Sequence, residues 1–118
     1  MDPSDFSIDK YRHDLGIVRE TAEQVIRDFH GSAVEITFSG DPFRAYDELL
    51  EQLIPAVESL YKQGGSRLSA LLYRIDLEER AVRALPGGPE RYRKLSELIL
   101  QREFKKVLIR HYFKDKFK

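Results

Sequence analysis

The stretch ERYRKLSELILQREFKKVLIRHYF, residues 90 to 113, decides the fold of this chain. Its apolar residues recur at helical spacing and predict one long helix. Tyr92, Leu95 and Ile99 share one side of that helix, while a second apolar group lies more than a quarter turn away. The second group is Leu100, Phe104, Val107 and Leu108. A helix with two apolar faces is either sandwiched between two layers of the core or covered by a partner.

The first helix is predicted from apolar residues that recur at alternating steps of four and three. They are Tyr11, Leu15, Val18, Ala22, Val25 and Phe29. Ser7 or Asp9 is a suitable start for this helix, and Gly31 is a suitable left-handed residue just past its end.

A second helix is predicted to open at Asp41 and Pro42 and to run to Gly64. Aspartate caps a helix well, and proline fits the first helical position because its missing N–H is not needed there. The apolar stripe is Phe43, Tyr46, Leu50, Leu53, Val57 and Leu60. Pro55 lies inside the stripe, so a kink is expected near residues 51 to 55.

The segment from Leu68 to Leu77 fits a helix or a strand, and the spacing of its leucines favours the helix. Asp76, with Glu79 three residues later, then suggests a capped short helix to Leu85. Residues 86 to 89, Pro-Gly-Gly-Pro, predict a turn before the last helix.

One short β segment is predicted over residues 33 to 39, where apolar and polar side chains alternate. Val34, Ile36 and Phe38 are its apolar members. Its partner could be residues 71 to 77, the region around Phe6 and Ile8, or the same strand of a second chain. The expected fold is therefore mainly α, with about five helices around one core, one short β segment and a single domain spanning residues 1–118.

The composition excludes several classes of function. The chain has 118 residues and no cysteine, which excludes disulfides, thiolate zinc sites and cysteine nucleophiles. Residues 1 to 10 carry acids where a signal peptide needs basic residues, and no apolar run approaches the roughly 20 residues that span a bilayer. We therefore expect a cytoplasmic protein without a membrane segment.

Charge is unevenly distributed although the net charge is zero. Residues 1 to 60 hold 13 acidic and 5 basic side chains, whereas residues 91 to 118 hold 3 acidic and 10 basic ones. Such halves can attract each other within one chain or between two copies. Basic residues are also favoured near the carboxyl end of a helix.

The sequence contains no recognisable catalytic or metal-binding motif. The chain has no phosphate-binding glycine loop, no nucleotide fingerprint and no His-Glu-x-x-His helix, and none of its histidines follows a Glu-x-x spacing. We therefore predict no catalytic residue, no metal site and no cofactor, and hence a non-enzymatic protein. An enzyme would need a site assembled from residues distant in sequence, for example Asp9, His13, Glu20 and Arg74.

A candidate basic patch lies on the last helix. It consists of Arg102, Lys105, Lys106 and Arg110. These side chains could contact phosphates, so a nucleic-acid-binding module is the alternative function. The isoelectric point of about 6.8 argues against it, because nucleic-acid-binding domains are usually basic overall.

The segments LLYRID (residues 71 to 76) and ELILQREFKKVLIR (residues 97 to 110) resemble small helical bacterial proteins of unassigned function. The likeness spans about half of the chain. It implies a cytoplasmic bacterial protein and transfers no catalytic or binding residue.

The function expected from the sequence is that of a protein-interaction or regulatory module that self-associates as a homodimer. Three features indicate self-association: a strand without an assured partner, a last helix with two apolar faces, and opposite charge at the two ends. The candidate interface is Val34, Ile36, Phe38, Leu100, Phe104, Val107 and Leu108. Any other protein partner is unidentified.

Overall fold

The computed structural model describes residues 14–32 and 34–116 of the chain. Within this part it contains five helices and no strand. The helices are α1 (Leu15–Phe29), α2 (Ala45–Lys62), α3 (Ser66–Ile75), α4 (Glu79–Arg83) and α5 (Glu90–Lys116). The prediction of a mainly helical fold is confirmed.

Helix α1 is capped at its start by Asp14, whose side chain accepts a hydrogen bond from the Ile17 amide at 3.1 Å. The chain leaves the helix through Gly31, which has a φ of +86° that favours glycine. Val18, Ala22, Val25 and Phe29 are buried as the sequence predicts. Ser7 and Asp9, the predicted start, lie outside the described residues.

Helix α2 begins at Ala45, a few residues after the predicted opening. The side chain of Asp41 accepts a hydrogen bond from the Phe43 amide at 3.0 Å, so Asp41 caps the turn that leads into the helix. Pro55 lies inside α2, which continues to Lys62. Leu50, Leu53, Val57 and Leu60 are buried.

The ambiguous segment after Gly65 is a helix, as favoured from the sequence. Asp76 then adopts a left-handed conformation with a φ of +63° and ends α3. The prediction that Asp76 caps the next helix is therefore wrong, because this residue terminates the preceding one. Helix α4 starts at Glu79 without a side-chain cap, and none of its residues is buried.

Helix α5 is sandwiched within the chain, which is the first of the two alternatives that the sequence allows. Leu95, Ile99 and Leu100 belong to the main hydrophobic core with residues of α1, α2 and α3. Phe104, Val107 and Leu108 form a smaller buried cluster with Ile17 of α1. Both apolar faces of α5 are thus covered by the chain itself.

The β prediction for residues 33 to 39 is wrong, since residues 34–39 form no strand in the described structure, and Ala33 lies outside it. Burial nevertheless alternates along this segment as expected, because Ile36 is buried while Glu35 and Thr37 are exposed. The Gln52 side chain accepts from the Thr37 amide at 2.9 Å and donates to the Thr37 carbonyl at 2.8 Å. A side-chain amide of α2 therefore satisfies the backbone groups that a neighbouring strand would satisfy.

Candidate functional site

The predicted basic patch is not an open surface, because three of its four residues bind other parts of the chain. Arg102 donates to the backbone carbonyl and the carboxylate of Asp76, both at 3.0 Å. Arg110 donates to Oε1 of Gln24 at 3.3 Å. Lys105 is exposed and makes no hydrogen bond or ion pair with any described residue. A phosphate ligand would have to compete with these contacts, which disfavours a nucleic-acid interface at this patch.

These contacts belong to a row of polar side chains between α1 and α5, which we call the polar seam. Its members are Glu20, Gln24 and Asp28 on α1, and Glu103, Lys106, Arg110 and His111 on α5. The α1 residues are spaced four apart, so they share one helix face. His111 contacts Glu20, Arg110 binds Gln24, and Lys106 binds Asp28. The polar residues of the two helices thus pair in antiparallel order.

The buried end of the polar seam holds three charged groups. Lys106 Nζ lies 3.2 Å from Oδ2 of Asp28 and 2.7 Å from Oε1 of Glu103. Asp28 is buried, and Glu103 has 0 % of its surface exposed. If both acids and the lysine were ionised, the site would carry an excess negative charge, which the burial of the two acids penalises strongly.

Protonation of Glu103 relieves this excess charge. Burial and a hydrogen bond with Asp28 raise the pKa of Glu103 to about 8, against the lowering effect of Lys106. Neither carboxyl oxygen of Glu103 has another hydrogen-bond partner within the described chain. For Asp28, burial raises the pKa, but hydrogen bonds with Glu103, Gln24 and Lys106 outweigh it and the net pKa is lowered. The pair therefore holds one proton near neutral pH, mainly on Glu103.

Basic side chains bind the carboxyl ends of α1 and α3 next to the polar seam. Arg74 of α3 donates to the carbonyls of Asp28 and His30 at 2.7 and 3.3 Å, and so satisfies the end of α1. Lys106 donates to the carbonyl of Ile75 at 3.3 Å, at the end of α3. Cations at helix carboxyl ends are favourable because they meet unpaired carbonyls and the negative end of the helix dipole. The basic residues of α3 and α5 therefore tie three helices together.

The predicted interface residues are buried or half-buried within one chain. Ile36 and the four residues of α5 are buried, and Val34 and Phe38 pack against the core. Two of the three sequence arguments for self-association rested on these side chains being uncovered. Homodimerisation stays a prediction, and any interface must use another surface.

Of the four residues suggested for an assembled catalytic site, the two that the structure describes, Glu20 and Arg74, do not converge. Glu20 contacts His111, whereas Arg74 binds the end of α1. Asp9 and His13 lie outside the described residues. No group of three or more His, Asp or Glu side chains suited to a metal ion occurs among the residues that the structure describes.

An apolar groove is present where α2, α3, α4 and α5 meet. It has a volume of about 170 Å³ and is lined by Val57, Tyr61, Gly65, Leu68, Ser69, Leu72, Val82, Arg91, Tyr92 and Leu95. Val57, Leu68 and Leu95 are buried, while Tyr61 at the rim is 52 % exposed. The Tyr61 and Tyr92 rings meet edge to face, with centroids 5.9 Å apart.

Arg91 is the one charged residue that lines the apolar groove. Its guanidinium donates to the carbonyls of Leu85 at 3.2 Å and of Val82 at 3.5 Å, which fastens the end of α4 to α5. Two further cavities are less suited to a ligand. One, beside Phe104, holds about 30 Å³. The other, a wider depression of about 420 Å³ near His30, is lined by residues on either side of Ala33, which the structure does not describe.

Sequence reasoning missed both the buried acids and the apolar groove. A signal for the acids exists, because Glu103 lies three residues after Leu100 and four before Val107, on an apolar stripe. The groove has no comparable signal, since its residues come from four helices separated by turns. It is a product of packing and not of any local pattern.

Comparison with known proteins adds no relative: no family model, curated protein or solved structure matches the chain. In the described part of the chain, no helix combines the length and apolar character needed to cross a membrane.

Proposed function

We propose that this protein is a non-enzymatic interaction module that self-associates, and that its contact surface is the face of α3 beside the apolar groove. The observation that supports this choice is the combination of an apolar cavity with two exposed tyrosines. Tyr61 is 52 % exposed at the rim and Tyr73 is 89 % exposed on α3. Tyrosine is enriched in protein interfaces because a large apolar ring carries a hydroxyl that tolerates water.

The remaining functional groups support a binding role over a catalytic one. The acids, the lysine and the arginine of the polar seam are engaged in contacts with one another that join the helices. A catalytic acid or base has to reach the substrate, and Glu103, whose pKa is most strongly raised, is fully buried. Perturbed carboxylates of this kind also occur in structural ion-pair networks.

Sedimentation equilibrium of the full chain over a range of micromolar concentrations tests the proposal. The chain has a mass of 13.8 kDa. We expect the average mass to rise with concentration toward twice this value. A mass that stays at the monomer value throughout the range would refute self-association.

A further inference from the structure

Arg91 is a half-buried cation in the wall of the apolar groove, and it makes no ion pair with any described residue. Lys62, Arg83, Arg102 and Lys106, in contrast, each have an acidic partner. A charge that has lost part of its water is stabilised by a charge of opposite sign. The wall of the groove therefore presents one positive charge that an anion can neutralise.

The guanidinium of Arg91 is held in place by the chain. Its Nη1 donates to the Leu85 carbonyl at 3.2 Å, and its Nη2 donates to the Val82 carbonyl at 3.5 Å. A guanidinium carries five N–H groups in one plane, so three remain for another acceptor after these two bonds. Because the group is already oriented, an anion that binds it restricts the protein little further.

The rest of the apolar groove has the size of one aromatic ring. Val57, Leu68 and Leu95 are buried residues that line it. A cavity of about 150 Å³ with walls of this kind holds benzene, and the groove has about 170 Å³. Its rim reaches solvent at Tyr61, which is 52 % exposed. A single ring with one small substituent therefore fits the groove and has a path into it.

Two tyrosine rings favour an aromatic occupant over an aliphatic one. Tyr61 and Tyr92 meet at an angle of 64°, with centroids 5.9 Å apart. Aromatic rings attract a further ring in offset or edge-to-face geometry, because the edge of a ring is positive and its face negative. Ser69 adds a hydroxyl to the lining. Mostly apolar walls with a few polar groups are usual for sites that bind small molecules.

Arg91 also determines the sign of the charge that the groove accepts, since no other lining residue is charged. Lys62 follows Tyr61 in the chain, but its ammonium lies 2.8 Å from the Glu58 carboxylate, so this pair adds no net charge near the rim. The occupant that matches the groove therefore combines an aromatic ring with a negative group.

We propose that the apolar groove is a binding site for a small aromatic carboxylate, whose ring lies against the aliphatic and tyrosine side chains and whose carboxylate binds Arg91. A guanidinium suits this ligand because its planar N–H groups match the geometry of a carboxylate. The site goes beyond the proposed self-association and does not depend on it, because every lining residue belongs to one chain.

Titration of the isotope-labelled full chain with benzoate, followed by the NMR shifts of its amides, tests the site. We expect saturable shifts clustered at Ser69, Leu72 and Arg91, with a Kd of about 1 mM or below for a ligand of this size. Benzylamine carries the same ring with a positive charge and should bind about tenfold more weakly or worse. Acetate carries the negative charge without the ring and should give no saturable shift at these residues.

Two variants test the charge and the cavity separately. Arg91→Met removes the charge and keeps an apolar stem, whereas Val82→Phe fills the groove with a ring of its own and leaves Arg91 in place. We expect each variant to weaken benzoate binding about tenfold or more. The matched controls Arg67→Met and Ala70→Phe make the same kinds of change at exposed positions that do not line the groove, and they should leave the Kd nearly unchanged.

Three results would each overturn the site. They are benzoate shifts that stay outside the groove, benzylamine binding as tight as that of benzoate, and unchanged benzoate affinity in both Arg91→Met and Val82→Phe. None of them bears on self-association, which sedimentation of the ligand-free chain tests separately.

Discussion

The side-chain nitrogen of Lys106 lies 2.7 Å from Oε1 of Glu103, a carboxyl group with no exposed surface. The same nitrogen lies 3.2 Å from Oδ2 of Asp28. One lysine therefore pairs with two buried acids, and the three groups together are neutral only when one acid keeps its proton. Because α1 and α5 supply these three groups, the proton balance of the site affects how strongly the two helices hold together.

The first prediction concerns pH. Glu103 has a pKa of about 8 in the folded chain and an ordinary value of 4.5. Between these values the folded chain binds more protons than the unfolded chain, so the free energy of unfolding falls as the pH rises through the window. The slope should reach at most about 1.4 kcal/mol per pH unit. Urea unfolding at intervals from pH 5 to pH 9 measures it.

The variant Glu103→Gln is the control for this slope, because it keeps the size of the side chain and cannot ionise. Its free energy of unfolding should vary much less over the same pH range. Asp28 acts in a separate window, since its pKa is lowered from 3.8 and its contribution is lost only as the pH falls below that value. An unchanged slope in Glu103→Gln would assign the pH dependence to other groups.

The second prediction concerns the shared cation. Lys106→Met leaves Asp28 and Glu103 without their ammonium partner and should cost about 3 kcal/mol of unfolding free energy near pH 8. The loss should be smaller at pH 5, where Glu103 is protonated. Lys105→Met is the matched control, because Lys105 is exposed, and it should change stability by less than about 0.5 kcal/mol. Equal effects of the two changes, measured by urea unfolding, would contradict the role given to Lys106.

The third prediction concerns the segment that was expected to be a strand. Gln52→Ala removes both hydrogen bonds to the backbone of Thr37 and should cost about 1 kcal/mol or more. Hydrogen exchange of the Thr37 amide should accelerate, because within the described structure this amide donates to the Gln52 side chain alone. Gln63→Ala, at an exposed position past the end of α2, is the control. Undiminished protection of Thr37 would mean that something other than Gln52 holds this segment.

The fourth prediction concerns the end of α1. Arg74→Ala removes the donor to the carbonyls of Asp28 and His30 and should destabilise the chain by about 1 kcal/mol. Arg74→Lys should recover only part of the loss, because an ammonium cannot reproduce the planar guanidinium geometry. Arg67→Ala, elsewhere on α3, is the control. Faster amide exchange confined to the last turn of α1 would identify the affected element.

Helix existence was predictable from the chain because it depends on local spacing. The stripes ending at Phe29 and Leu60, and the two faces of α5, all predicted helices that the structure contains. The errors have physical causes. Residues 34–39 alternate in burial as a strand does, but Gln52, many residues later, provides their hydrogen bonds. Aspartate is suited both to the start and to the end of a helix. The left-handed backbone of Asp76 places it at the end of α3.

The site was far less predictable. Lys106 and Asp28 are 78 positions apart, and each is an ordinary surface residue by type. Arg102, Lys106 and Arg110 form a basic stripe in the sequence. In the structure they bind α1 and the end of α3, and so hold the helices together. Which charges meet is a property of how the helices cross, and local spacing does not determine that.

The most direct measurement of the proposed function is isotope-filtered NMR on an equimolar mixture of labelled and unlabelled chains. Self-association through the face of α3 beside the apolar groove predicts intermolecular contacts that involve the exposed Tyr73 ring. Intermolecular signals elsewhere, without any from Tyr73, would contradict this choice of contact surface. A sample with no intermolecular signal, at concentrations where NMR is practical, would contradict self-association itself.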